Sequence, residues 1–561
     1  MTLASHPGLW LIAAAALLAV LRGRSRAVVA LAAPLVALTL AWRLEAGVHL
    51  RAGFLGMELA PFAADALSRL FAVIFSLMAF AGALFALNQP RRLELAAAFL
   101  YAGAAIGVTL AGDLVTVFVC WEVMAIGSTL VLWSAATPAA YRASMRYLMV
   151  HLCGGMLLFI GVAAHVLQTG TTAFQPMALD GPAHALILAA FLVNAGAWPL
   201  SAWLPDAYPE ASWSGMVFLS AFTTKTAVYV LLRGFPGTEP LIYVGLAMVF
   251  YGIVYALLEN DMRRILAYSI VNQVGFMVTG IGIGTEMALN GAAAHAFTHI
   301  LYKALLLMSA GAVLYATGRR KCTELGGLFR TMPLTAACGI VGALAISSFP
   351  LTSGFVSKSM IAQAAGDEHL FVVWLLLAAA SAGVFLHAGI KFPWFVFFQK
   401  DSGLRPPDPG WNMRAAMVLL AAFCIGLGIW YEPLYGLLPY PVDYAPYTGF
   451  HVVAQLQLLL FSGLAFFVML GWLRRTLTIT LDTDWLYRAL FPRVVALCGA
   501  ALERALAAGG AGAARAGERL GAYFRRLCGP QGALARTWPA GAMGLGVMGM
   551  LLALLLSYYL F

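Results

Sequence analysis

Charge is what this chain has least of. Only 10% of its 561 residues are Asp, Glu, Lys or Arg, against 62% hydrophobic and a mean hydropathy of +0.86. So little polar surface cannot coat a soluble globule of this length. Cysteine is scarce too. The seven copies form no CxxC pair and no Cys/His cluster, so neither a zinc nor an iron–sulfur site is expected, and no metal is assigned. No Walker motif and no haem or flavin signature occurs, and no polar stretch is long enough for a soluble domain. A self-contained catalytic site or a bound cofactor is therefore not expected. Gly544, Gly546 and Gly549 spell GxGxxG, but within an apolar 20-mer and with no strand before them they read as a helix-packing surface.

What the chain has is apolar length. Runs of roughly 18 to 25 residues recur from end to end, about sixteen in all, and each can cross some 30 Å of hydrocarbon as a helix. The alternating ten-residue pattern of barrel strands is missing, so the expected class is all-α, a polytopic helical membrane protein. Gly8 to Leu21 lacks a small-residue cleavage site and is taken as the first span.

The net charge of +10 does not gather into a patch for nucleic acid. Arg22, Arg24 and Arg26, Arg91 and Arg92, Arg142 and Arg146, Arg263 and Arg264, Arg319 to Lys321, Lys400 and Arg405, and Arg474 and Arg475 fall in alternate loops. The loops between hold Asp180, Glu239, Glu286, Asp367, Glu368, Glu432 and Asp443, with Arg43, Arg51 and Arg233 as exceptions. The positive-inside rule makes the basic set cytoplasmic and the N-terminus external, in a bacterial-type cytoplasmic membrane.

Against this background the ionisable residues inside spans stand out, since a charge at mid-membrane costs roughly 2.5 to 3.5 kcal/mol. Glu122 lies near the middle of Gly112 to Trp133, and the plain alternative for it is a neutral carboxylic acid tying two helices together. Lys225 lies among Thr223, Thr224 and Thr226. His295, His299 and Lys303 recur at i, i+4 and i+8, on one helical face. Lys358 follows Pro350 and Gly354 in a broken span, as Pro199 and Pro205 break an earlier one. Asn194, His151, His387, Lys391 and Asp113 are accessory candidates, with His151 reading more as packing than as relay.

Pro199 and Pro350 lie about 150 residues apart, as do Glu122 and Gln273, and His151 and Tyr302, and interrupted helices in matching positions mark a transporter built from repeats. The expected division is scaffold spans 1–92, five-helix units 93–235 and 240–400, further spans 411–475, a cytoplasmic-side amphipathic segment 481–538 rich in arginine, and a final span 540–561. The arginines of that segment are Arg488, Arg493, Arg504, Arg515, Arg519, Arg525, Arg526 and Arg536.

The wording of the motifs resembles the antiporter-like membrane subunits shared by respiratory complex I and the multi-subunit Mrp-type sodium/proton antiporters. It rests on Trp121-Glu122, WLPDAYPEA from Trp203, TKTAVY from Thr224, DMRRILAYSIVNQVGFM from Asp261, HAFTHILYKALLLM from His295 and GFVSK from Gly354. With HAGIKFPWFVFF from His387, the wording looks most like the D-type members of the Mrp branch. The resemblance implies fourteen core helices in two inverted repeats, discontinuous helices seven and twelve, and a polar axis along the midplane. It implies a proton pathway of Glu122, Lys225, His295, His299, Lys303 and Lys358, the last exchanging protons with the far side. It also implies partner membrane subunits and exchange of protons for a monovalent cation. Two rival readings stay open: a proton-pumping subunit of a complex I-like or hydrogenase-type redox complex, and a structural subunit with a silent axis. The latter arises because the family's usual helix-seven lysine is Asn194 here, which cannot hold a charge yet can hydrogen-bond Glu122 or order water beside it.

Overall fold

The computed structural model describes residues 3–471, 482–534 and 539–560. Arg474, Arg475 and Arg536, and the expected boundaries at 475, 481 and 538, lie outside the described residues. Two compact units emerge, Met1–Asp484 and Trp485–Phe561.

The first unit opens with α1 (Pro7–Val20) and α2 (Gly23–Trp42), then an antiparallel hairpin of β1 (Gly47–Phe54) and β2 (Met57–Ala64). The hairpin is an addition to the all-α expectation. It docks on the bundle through Ala63 N to Leu110 O (2.8 Å) and Gly112 N to Ala60 O (2.9 Å). Next come α3 (Ala66–Phe85), α4 (Arg92–Thr109), α5 (Leu114–Trp133) and α6 (Pro138–Thr169). An interrupted span follows as α7 (Pro182–Ala195) and α8 (Trp203–Ala207), and then α9 (Gly215–Ala221) and α10 (Thr223–Gly234). Then come α11 (Pro240–Leu258), α12 (Met262–Ile283), α13 (Glu286–Thr317), and an interrupted pair α14 (Pro333–Ile346) and α15 (Ser353–Asp367). Then α16 (Phe371–Val384) runs on as π-helix through Phe385–Lys391 and Trp394–Phe398, before α17 (Trp411–Ile429), the single turn α18 (Glu432–Tyr435) and α19 (Gly449–Val468).

The second unit is α20 (Phe491–Cys528) and α21 (Ala540–Leu560). On a helical wheel the arginines of α20 share one face, opposite Leu502, Leu506, Leu520 and Phe524, as expected of an amphipathic segment. The GxGxxG glycines of α21 have nothing within contact distance among the described residues, so no packing partner is assigned to them.

Fourteen described helices are long and apolar enough to cross a membrane, and Pro7–Val20, Pro182–Ala195 and Pro333–Ile346 are shorter apolar helices. The difference from sixteen expected spans is one of counting: the fourteen include the amphipathic helix and omit those three. The chain is a multi-pass membrane protein. Helix ends follow local chemistry. The pair α6 and α13 have 32 residues each, start after a threonine cap (Thr137, Thr285) and stop at a left-handed glycine (Gly170, φ 72°; Gly318, φ 67°).

Two of the three charge exceptions find partners on the spot. Arg233 pairs with Asp65, and Arg51 with Glu58 at 2.6 Å, so neither contributes a free positive charge to its loop. The basic loops hold Arg146–Asp206 (2.7 Å), Arg264–Glu259 (2.9 Å), Arg320–Asp261 (2.8 Å) and Arg320–Glu210 (3.0 Å).

Candidate functional site

The core of the first unit is polar along a line. Helices α9 to α10 and α12 are buried throughout their span windows, and α13 nearly so, yet they carry Lys225, Gln273, His295, His299 and Lys303 with no exposed surface at all. Each is placed by a break or a helical face.

Phe222 separates α9 from α10 and departs from helical geometry (φ −105°, ψ −68°). The break frees the Ser220 carbonyl, and Lys225 Nζ donates to it at 2.8 Å and to Thr224 Oγ1 at 3.0 Å. Three turns of α13 present His295, His299 and Lys303. Lys303 Nζ donates to Leu266 O at 3.2 Å. His295 donates from Nε2 to Gln273 Oε1 (3.1 Å), and its Nδ1 meets Ser357 Oγ (3.1 Å), which also takes a hydrogen bond from Thr298 Oγ1 (2.8 Å). A hydroxyl gives or accepts, so this imidazole keeps a partner on Nδ1 whether neutral or protonated. Neither ring nitrogen of His299 has a hydrogen-bond partner among the described residues. A buried imidazole left so costs about 1–3 kcal/mol per orphaned atom unless water completes it.

Lys358 stands on α15 beside the second break. Its Nζ lies 3.5 Å from Ile346 O at the end of α14 and 4.4 Å from the centre of the Phe276 ring. Pro350 lies in the break between α14 and α15. Gly354 does not break the helix: it sits inside α15, where a Cβ would lie 1.8 Å from Ala345 O, so its role is close approach of the two half-helices. Likewise Pro199 lies in the gap after α7, whereas Pro205 sits within the short helix α8.

These groups are within electrostatic reach of one another: Lys225 of His295, His299 and Lys303, and Lys358 of His295, His299 and His387. None of the five cations and imidazoles from Lys225 to Lys358 forms an ion pair with a carboxylate among the described residues.

Glu122 is not part of that cluster. It faces a groove of about 420 Å³ between α5 and α6, lined by Phe118, Leu152, Met156 and Phe159, and its Oε1 has no hydrogen-bond partner among the described residues. Asn194 is fully buried and neither amide atom has a hydrogen-bond partner among the described residues, so of its two possible roles, a bond to Glu122 or the ordering of water, the direct bond is not made there. The two side chains approach neighbouring glycines of α6, Gly154 for Asn194 and Gly155 for Glu122. Between Glu122's helix and Lys225 runs a hydroxyl network: Tyr147 OH donates to Ser128 Oγ (2.9 Å) and meets Thr223 Oγ1 (3.4 Å), which Tyr101 also contacts. His151 stacks on Tyr147, with ring centres 3.9 Å apart, and binds its carbonyl.

Three accessory candidates have structural partners. Asp113 caps α5, accepting from Thr116 N (2.7 Å), and holds the hairpin by accepting from Ala60 N (3.0 Å). Lys391 donates to the end of α11 at Ala256 O (3.1 Å), Leu257 O and Glu259 O (2.6 Å). His387, in the π-helical continuation of α16, binds Gly383 O (2.8 Å) one turn back at the end of α16. Ser357, Thr298 and the Tyr147 network escaped sequence reading. For Ser357 a signal existed, one residue before Lys358 on the same broken helix; for Tyr147 none did.

A bundle of spanning helices whose buried axis carries lysines and histidines beside broken helices defines an ion-transport membrane protein. The chain belongs to the family described as NADH:quinone oxidoreductase/Mrp antiporter, TM, whose profile matches residues 111–384. It is 31% identical over 360 residues to the D-type member of the Na(+)/H(+) antiporter of Alkalihalophilus pseudofirmus, covering 60% of this chain and 72% of that one. It is 27% identical over 363 residues to the N-type member of the NADH-quinone oxidoreductase of Desulforudis audaxviator, covering 59% and 72%. Its fold matches a chain of the Mrp complex from Dietzia sp. with a TM-score of 0.65 at 22% identity, over 81% of this chain and 93% of that one.

Proposed function

We propose that the protein is the proton-translocating subunit of a multi-subunit monovalent cation/proton antiporter. Protons pass along Lys225, His299, Lys303, His295 and Lys358, with Glu122 at the lateral end. The observation that carries this reading is the bonding of the amines. Each buried ammonium is held by neutral oxygens rather than a carboxylate. An ammonium held by neutral oxygens can hand its proton to a neighbouring imidazole without first breaking an ion pair, and His295 and His299 are such imidazoles. The five-helix units 93–235 and 240–400 form the two halves of the path. The partners are other membrane subunits, and the chain sits in the cytoplasmic (inner) membrane with its N-terminus outside, a placement supported by the basic loops.

The likeness to a member of an NADH-quinone oxidoreductase favours a second reading, a proton-pumping subunit of a redox complex. One experiment separates the two. The intact assembly, purified and reconstituted in liposomes without any reductant, is given a sodium or potassium gradient, and internal pH is followed. Cation-driven proton movement supports the antiporter. No movement, with flavin and iron–sulfur proteins co-purifying, supports the redox reading. The orphaned Asn194 keeps the silent-axis reading in view, and Asn194→Lys tests it: unchanged flux, with Glu122→Gln also without effect, identifies a scaffold.

A further inference from the structure

A cleft of about 660 Å³ in the first unit runs from Lys358 to the surface that carries Asp367 and Asp443. Its inner end is Lys358, only 3% exposed, and the same cleft is lined by Ser348, whose buried Oγ has no hydrogen-bond partner among the described residues. Its outer wall is supplied by the loop before α19 and by α19 itself, which lie beyond the residues matched by the family profile. There His451 stacks on Phe355 of α15, with ring centres 4.8 Å apart, and its Nδ1 lies 2.9 Å from Pro446 O and 3.4 Å from Tyr444 OH. A carbonyl only accepts, so Nδ1 carries the hydrogen and Nε2 is left as the proton acceptor of the neutral ring. Gln455, one turn on, donates to Ser347 O at 3.3 Å and ties α19 to the broken span that holds Lys358.

We infer that this cleft is a hydrated half-channel and that His451 is the residue through which Lys358 exchanges protons with the acidic face. The inference rests on the proton-relay reading above and adds to it the route and the terminal group. The Lys358 ammonium hands a proton to water held by Ser348 Oγ, leaving a neutral amine. That water passes a proton to His451 Nε2, forming the imidazolium, which releases one to bulk water and returns to its starting tautomer. Asp367 and Asp443 at the mouth raise the local concentration of cations, hydronium included.

The test uses the intact assembly in liposomes, with cation-driven proton flux measured for wild type, His451→Ala, His451→Gln and Lys225→Ala, each checked for assembly. Glutamine can still donate to Pro446 O but cannot carry a proton. Both His451 variants are expected to lose at least about tenfold in flux, within the range that a positioned proton-transfer group contributes. Imidazole in the buffer is expected to restore flux in His451→Ala while leaving wild type and Lys225→Ala unchanged. Wild-type flux in the His451 variants overturns the inference, and so does a loss that imidazole fails to restore, which marks His451 as a packing residue against Phe355. Normal flux in Lys225→Ala instead overturns the relay reading itself, so the two failures are told apart.

Discussion

Gly155 of α6 leaves the space that the Glu122 carboxylate of α5 occupies: a Cβ built there would lie 1.9 Å from Oε1. The displaced atom is the tip of a flexible side chain, so the helices need not move. Gly155→Ala is therefore expected to leave stability within about 1 kcal/mol of wild type, in line with Gly-to-Ala changes within helices, while pushing the carboxylate into the lateral groove. The carboxyl stretch of Glu122 in infrared difference spectra, assigned with Glu122→Gln, should shift in the variant. An unshifted band would mean that the carboxylate does not rest against Gly155.

Asp113 caps α5 and holds the hairpin, its oxygens accepting from Thr116 and Ala60. Asp113→Asn keeps a capping side chain and is expected to keep near-full flux. Asp113→Ala should lower stability by about 0.5–2 kcal/mol, the usual cost of a lost cap. Flux lost in the Asn variant despite normal assembly would return Asp113 to the pathway.

At the basic-loop end of α12, Asp261 accepts from Arg263 N (2.9 Å) and pairs with Arg320. Burial holds its carboxyl above the ordinary value of 3.8, outweighing the pull of Arg320. A carboxyl raised in this way binds its proton more tightly folded than unfolded. The stability it contributes is full below the ordinary value and is lost as pH rises through the raised one. Thermal melts of the detergent-solubilised protein should therefore fall over a window opening upward from pH 3.8, and Asp261→Asn, which still caps the helix, should flatten that component. A melt that rises over the same window in wild type would contradict the assignment.

Lys391 closes the end of α11 by donating to three carbonyls. Lys391→Met leaves those acceptors to find water and is expected to cost about 1–3 kcal/mol. Because the ammonium belongs to a helix end, the flux per assembled complex should stay near wild type. A specific loss of flux at unchanged stability would argue that Lys391 carries protons.

Much of this was legible in the chain. Helical spacing alone put His295, His299 and Lys303 on one face, and the prolines located both interruptions, because such signals are local. The hairpin was missed because Glu45 to Asp65 mixes charge with apolar residues too weakly to register as alternating strands. Partners brought together by folding were also out of reach. Ser220 O becomes available to Lys225 only because the helix breaks at Phe222, and the Tyr147 hydroxyl reaches Ser128 across two helices.

Lys225 is the hinge of the proposed relay, being wholly buried, bonded to Ser220 O and Thr224 Oγ1, and within reach of both histidines. Cation-driven proton flux should therefore be measured in liposomes holding the intact assembly with Lys225→Ala, its protein composition verified against wild type. A relay predicts flux reduced to background with the assembly intact. Wild-type flux in that variant would contradict it.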